Sequence, residues 1–173
     1  MNGRLKKIVY TAVGIALFTV LTLCLQVPVF QNYYLCLGYI AMAVYCYSVG
    51  TLSGMAVGCF GVVLYCLLTN GLRGMPGWAL GNLAIGFGMG MISKRVKSAE
   101  RKTIRFGLWI LAAALSTAAG ILVIKSLVDS IIRSQPFFAR VAMNVYAFAA
   151  DLAVLIIALP ICEKLDELVR EKL

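Results

Sequence analysis

Between Lys7 and Arg73 the chain carries no charged residue. A helix that crosses a bilayer needs about 20 mostly apolar residues, so this one run is long enough for three crossings. No soluble fold of this length can hide it. Hydrophobic residues make up 62% of the 173 residues and charged residues 13%, against roughly 45–50% and about 25% in a soluble domain. That much apolar surface cannot be buried inside so small a protein. The composition excludes an ordinary soluble enzyme, a disordered chain and a nucleic-acid-binding module, in spite of the +9 net charge. An all-α integral membrane protein remains, with room for one domain of six transmembrane helices.

Breaks in the apolar pattern divide the chain. Pro28, with Gln31 and Asn32 behind it, ends the first helix, and Ser48, Gly50 and Thr51 mark a tight second break. Expected spans are therefore 8–27, 33–49 and 51–68. The segment Asn70-Gly-Leu-Arg-Gly-Met-Pro-Gly77 is a loop, because its glycines and Pro76 continue a helix poorly. Helix 4 is expected over 78–93, helix 5 over 106–124 with a possible amphipathic extension, and helix 6 over 138–161. Helical periodicity continues through Leu165, Leu168 and Val169, with Asp166 and Arg170 spaced to pair one turn apart. The first apolar run is too long for a cleavable signal and is read as a span.

Basic residues collect on the cytoplasmic side of a membrane protein. With six spans, Arg4, Lys6, Lys7, Lys94, Arg95, Lys97, Arg101, Lys102, Arg105, Lys164, Arg170 and Lys172 fall on one side. Arg73, Lys125, Arg133 and Arg140 fall on the other. Twelve against four places both termini in the cytoplasm.

The chemistry on offer is narrow. There is no histidine, which removes the commonest general base and metal ligand. The six cysteines form no C-x-x-C pair and read as small buried hydrophobes. No P-loop, G-x-S-x-G or H-E-x-x-H motif is present. No catalysis, metal or cofactor is expected. Twelve of the sixteen glycines lie between Gly38 and Gly90, and spacings such as Gly50-Gly54-Gly58 and Gly86-Gly90 predict closely packed helices.

Polar residues inside spans point further. Asn82 and Asn144 each lie near the outer end of a helix, with Trp78 and Arg73 above the first. Gln26, Gln31, Asn32, Tyr33 and Tyr34 surround the connection after helix 1, and Arg140 adds positive charge on the same side. Arg73, Trp78, Asn82, Asn144, Arg140, Gln31 and Tyr33 form the candidate site for a polar organic molecule, with interhelical hydrogen bonds and an interfacial aromatic belt as the structural alternative. The surplus of positive charge favours an anionic group on that molecule. Asp151 is the only charged residue deep in a span, a position that is costly and often functional.

Size, six-span layout and the segments Ala12-Val-Gly-Ile-Ala16, Val27-Pro-Val29 and Gly71-Leu-Arg-Gly-Met-Pro-Gly-Trp78 together resemble the S component of an energy-coupling factor (ECF) type vitamin transporter. The resemblance implies a vitamin-binding bundle in the bacterial plasma membrane. It implies docking of helices 1–3, with Ala12 and Ala16 as the small-residue strip, on a transmembrane coupling subunit. Two cytoplasmic ATPase subunits would supply the energy. It leaves the vitamin open among pantothenate, folate, cobalamin or another. A secondary transporter, proton-coupled through Asp151, and an accessory membrane subunit are the alternatives. The former normally shows two related halves, and no internal repeat is evident.

Overall fold

The computed structural model describes residues 3–24, 26–30 and 33–170, with the backbone alone for 26–30, 33, 34, 169 and 170. Helix α1 covers Gly3–Cys24. Strands β1 (Gln26–Phe30) and β2 (Tyr33–Cys36) form an antiparallel hairpin. Helices α2 (Gly38–Ser48), α3 (Thr51–Leu68) and α4 (Met75–Ser98) follow. Helix α5 (Lys102–Thr117) passes through a π-helical segment, Ala118–Lys125, into α6 (Ser126–Arg133). Helix α7 runs over Phe137–Arg170.

The fold is that of an all-helical membrane protein with one small hairpin. Among the described residues, four rods are long and apolar enough to cross a bilayer: Gly3–Cys24, Thr51–Leu68, Lys102–Arg133 and Phe137–Leu168. Helix α4 has 24 residues but ends in Lys94, Arg95 and Lys97. Helix α2 has only 11 residues, about 17 Å of helix.

The hairpin corrects two expected boundaries. Helix 1 stops at Cys24 rather than Val27, because the residue before a proline is driven out of the helical region. Tyr33–Cys36 is a strand rather than the start of helix 2. Its Tyr-Tyr-Leu-Cys sequence suits an extended backbone, and Pro28 opposite Tyr34 is tolerated in a two-stranded ribbon that bulges between Pro28 and Phe30. Helix α3 occupies its expected range, and the sharp turn before it comes from Gly50, whose φ of +131° suits no side-chain-bearing residue. Helix α4 begins at Met75, since Pro76 is accepted in a first turn.

The glycine spacings mark the helix contacts. A Cβ on Gly86 would lie 2.8 Å from Met55 Cα, and one on Gly90 would lie 2.6 Å from Thr51 Cα. Gly54 and Gly58 face Cys46 and Met42 in the same way. Helices α2, α3 and α4 thus pack nearly backbone to backbone, which in lipid substitutes dispersion contacts for the hydrophobic effect. Phe18, Tyr39, Met42, Trp109 and Leu155 are fully buried, while Leu52, Ile131 and Phe138 point outward.

The basic ends meet at one end of the bundle. Thr11 hydrogen-bonds Ser53, placing the starts of α1 and α3 together, and Gly90 meets Thr51. At the same end Lys97 pairs with Asp166 at 2.7 Å and lies over the Tyr47 ring, and Arg105 pairs with Glu163 at 2.9 Å. Asp166 therefore bonds across to α4. Helix α7 has 34 residues, about 51 Å of helix, and so outruns the ~30 Å hydrocarbon core of a bilayer.

Candidate functional site

At the opposite end of the bundle, two buried polar networks converge. The first joins α2, α3 and α4. Trp78 Nε1 donates to Tyr39 Oη at 3.0 Å, and Tyr39 Oη donates to Asn82 Oδ1 at 2.7 Å. Asn82 Nδ2 then donates to the Gly58 carbonyl at 3.0 Å. Tyr39 and Asn82 are fully buried, and Tyr65 meets the Trp78 ring edge-on.

The second network joins the π segment, α6 and α7. Lys125 Nζ donates to Asn144 Oδ1 at 2.6 Å and lies 3.3 Å from Asp129 Oδ2. Asn144 Nδ2 donates to Ser126 Oγ at 2.9 Å. Arg140 Nη2 donates to Asp129 Oδ2 at 2.9 Å. Asp151 links the two sets: its buried carboxyl neighbours the Tyr39 hydroxyl and lies within electrostatic range of Lys125.

The backbone explains why these groups face inward. In a π turn one extra residue is inserted, which displaces the following side chains by about 100° around the axis. The segment Ala118–Lys125 does this, ending on Lys125 and leading directly into Ser126 and Asp129. It sits where Gly120 meets Gly81: a Cβ on either glycine would lie 2.5–2.7 Å from the other's carbonyl oxygen. Ser126 Oγ donates back to the Ile121 carbonyl, five residues earlier. Gly77 leaves room for the Asp129 carboxylate, whose Oδ1 would be 2.7 Å from a Cβ there. The carboxylate thus lies against the first turn of α4, where the helix dipole favours negative charge.

Two buried polar atoms in the second network, Asp129 Oδ1 and Arg140 Nε, have no partner among the described residues.

Of the residues singled out from sequence, the structure joins Trp78 and Asn82 in one network and Arg140 and Asn144 in the other. Arg73 remains exposed in the α3–α4 turn. Gln31 lies outside the described residues, and only the backbone of Tyr33 is described, in β2. Of the cations expected at a positive pocket mouth, Arg140 is 5% exposed and paired with Asp129, whereas Arg73 and Arg133 stay exposed. Asp151, which has no visible basic partner in the sequence, has Lys125 within range. Tyr39, Lys125, Ser126 and Asp129 were not among the expected site residues. A lysine after the apolar stretch Gly120–Ile124, followed by an amphipathic segment, was the available signal for Lys125 and Asp129. Nothing in the sequence distinguishes Tyr39 from the other tyrosines.

On the exterior of α1, Ala12 and Ala16 are exposed, whereas Gly14 between them packs on Tyr45 and Val57. The alanine strip therefore faces away from the bundle.

Compensated charges, amides and hydroxyls enclosed in an apolar bundle equip a membrane protein to handle a polar solute. The family model described as ECF-type riboflavin transporter, S component, matches residues 2–167. The chain belongs to that family. It is a multi-pass membrane subunit of a vitamin transporter and not an enzyme. No curated protein sequence matches the S component described here.

Proposed function

We propose that this S component binds riboflavin or a close flavin in the bacterial plasma membrane and delivers it through a transmembrane coupling subunit driven by two cytoplasmic ATPase subunits. The observation that carries the reading is the match of residues 2–167 to the family model described as ECF-type riboflavin transporter, S component. Within the buried site Arg140 and Lys125 both lie on Asp129, and Tyr39, Trp78, Asn82, Ser126 and Asn144 add donors and acceptors of both kinds. An aromatic ring with amide-like edges and a hydroxylated chain needs donors and acceptors of both kinds. The family's description favours riboflavin over pantothenate, folate and cobalamin. The gathering of basic residues at the far end of the bundle supports six crossings with both termini in the cytoplasm and the polar networks toward the outside.

Fluorescence titration of riboflavin onto the purified chain, without ATP, tests this reading through Asn144 and Asn82. Asn144→Ala takes one partner from Lys125 and one from Ser126, and Asn82→Ala removes the acceptor of the Tyr39 hydroxyl. Each is expected to cost about 1–3 kcal/mol of binding, a roughly tenfold to hundredfold loss of affinity, with the fold retained by circular dichroism. Unchanged affinity in both variants would place the ligand elsewhere.

A further inference from the structure

Away from both networks, a groove of about 370 Å³ opens on the outer surface between α4, from Ala84 to Ile92, and the α5–π rod, from Leu108 to Ala119. Its floor is close-packed: a Cβ on Gly88 would lie 2.7 Å from Ser116 Cβ. The Ser116 hydroxyl is turned away into its own helix, donating to the Ala112 carbonyl, so the lining is almost wholly apolar. Small side chains at Ala84, Gly88, Ala112 and Ala119 create the depression, and Phe87 and Leu115 stand exposed at its edges.

Length and charge identify what fits there. At 1.5 Å per residue, the lining stretches of α4 and α5 run about 12 and 16 Å, roughly half of a ~30 Å hydrocarbon core and therefore the depth of one leaflet. The groove ends toward the α4–α5 turn. Helical spacing continues the α4 stripe from Gly88 and Ile92 to Arg95, and Arg101 stands in the turn immediately before α5. Both arginines are exposed, with Lys94 and Lys102 beside them and Glu100 as the acid in the turn. Lys97 and Arg105 are instead engaged by Asp166 and Glu163.

We infer that this groove is a binding site for one anionic phospholipid, with an acyl chain along α4 and α5 and its phosphate between Arg95 and Arg101. Apolar fit alone would accept any lipid. The two arginines at its mouth select a headgroup with net negative charge, such as phosphatidylglycerol, over zwitterionic phosphatidylcholine.

Native mass spectrometry of the purified chain in a non-ionic detergent, with phosphatidylglycerol and phosphatidylcholine of identical acyl chains added at equal concentration, tests the site. A basic residue at a leaflet surface adds roughly fivefold to anionic lipid binding, so a preference of about twenty-five-fold for phosphatidylglycerol is expected. Arg95→Gln with Arg101→Gln should bring the ratio close to one while riboflavin binding persists. Ala84→Leu with Ala119→Leu, which fills the groove from positions outside the core, should reduce retention of both lipids. Equal retention of the two lipids by the unaltered chain overturns the inference, as does a preference that survives the arginine changes. Groove-filling variants that keep lipid retention but lose docking on the coupling subunit would also overturn it, by assigning the groove to a partner helix.

Discussion

Tryptophan at Ala12 or Ala16 is expected to leave riboflavin binding by the isolated chain nearly unchanged and to abolish uptake in cells that carry the coupling subunit and its ATPases. The two alanines lie one turn apart on an exposed face of α1, so their side chains overlie each other in a flat strip. Such a strip lets a partner helix approach closely enough for dispersion contacts to accumulate. An indole there holds the partner away and forfeits them. The bundle itself tolerates the change, because the inward position of this turn is taken by Gly14, against Tyr45 and Val57. The check is to measure flavin affinity and ATP-dependent uptake on the same variants. Joint loss of folded yield, binding and uptake would mean that the strip packs inside the protein and would end the docking assignment.

Asp129→Ala should be the most destabilising single change in the polar networks. The carboxylate is 1% exposed and accepts from Arg140, itself 5% exposed, and from Lys125. Removing one member of a buried ion pair costs about 3–5 kcal/mol, since the remaining charge stays desolvated without a partner. For a chain of this size that is a fall in Tm on the order of 10 °C. Replacing both partners, Asp129→Leu with Arg140→Met, should recover much of the loss, because a buried pair is often matched in stability by apolar side chains of similar volume. Thermal unfolding in detergent distinguishes the cases. If Asp129→Ala melts with the unaltered chain, the Arg140–Asp129 contact does not hold α6 to α7.

Much of this architecture is legible in the residues alone, wherever a local signal has a single outcome. The uncharged run from Lys7 to Arg73 admits only a membrane solution, and the glycine repeats forecast the contacts of α2, α3 and α4. Helix α3 starts where Gly50 makes the turn. The hairpin was missed because Tyr33–Cys36 is an apolar run too short for periodicity to separate strand from helix. Only pairing with β1 decides it.

The site was half legible for a different reason. Asn82 and Asn144 stand out because an amide in an apolar helix must find a partner. The π segment does not stand out: its eight residues read as ordinary helix, and the contact of Gly120 with Gly81 within it is tertiary. Charge counting along the sequence put Arg140 at an open mouth, whereas the fold puts Asp129 directly against it. Which charges pair with one another is a property of three dimensions.

Whether the buried networks hold a flavin is tested most directly by mass spectrometry of the small molecule that stays with the protein when it is purified, without added ligand, from cells grown with a full set of vitamins. A flavin is expected, at up to one per chain, released on unfolding. Recovery of pantothenate, folate or cobalamin in its place, or of no bound molecule together with no response to added riboflavin, would contradict it.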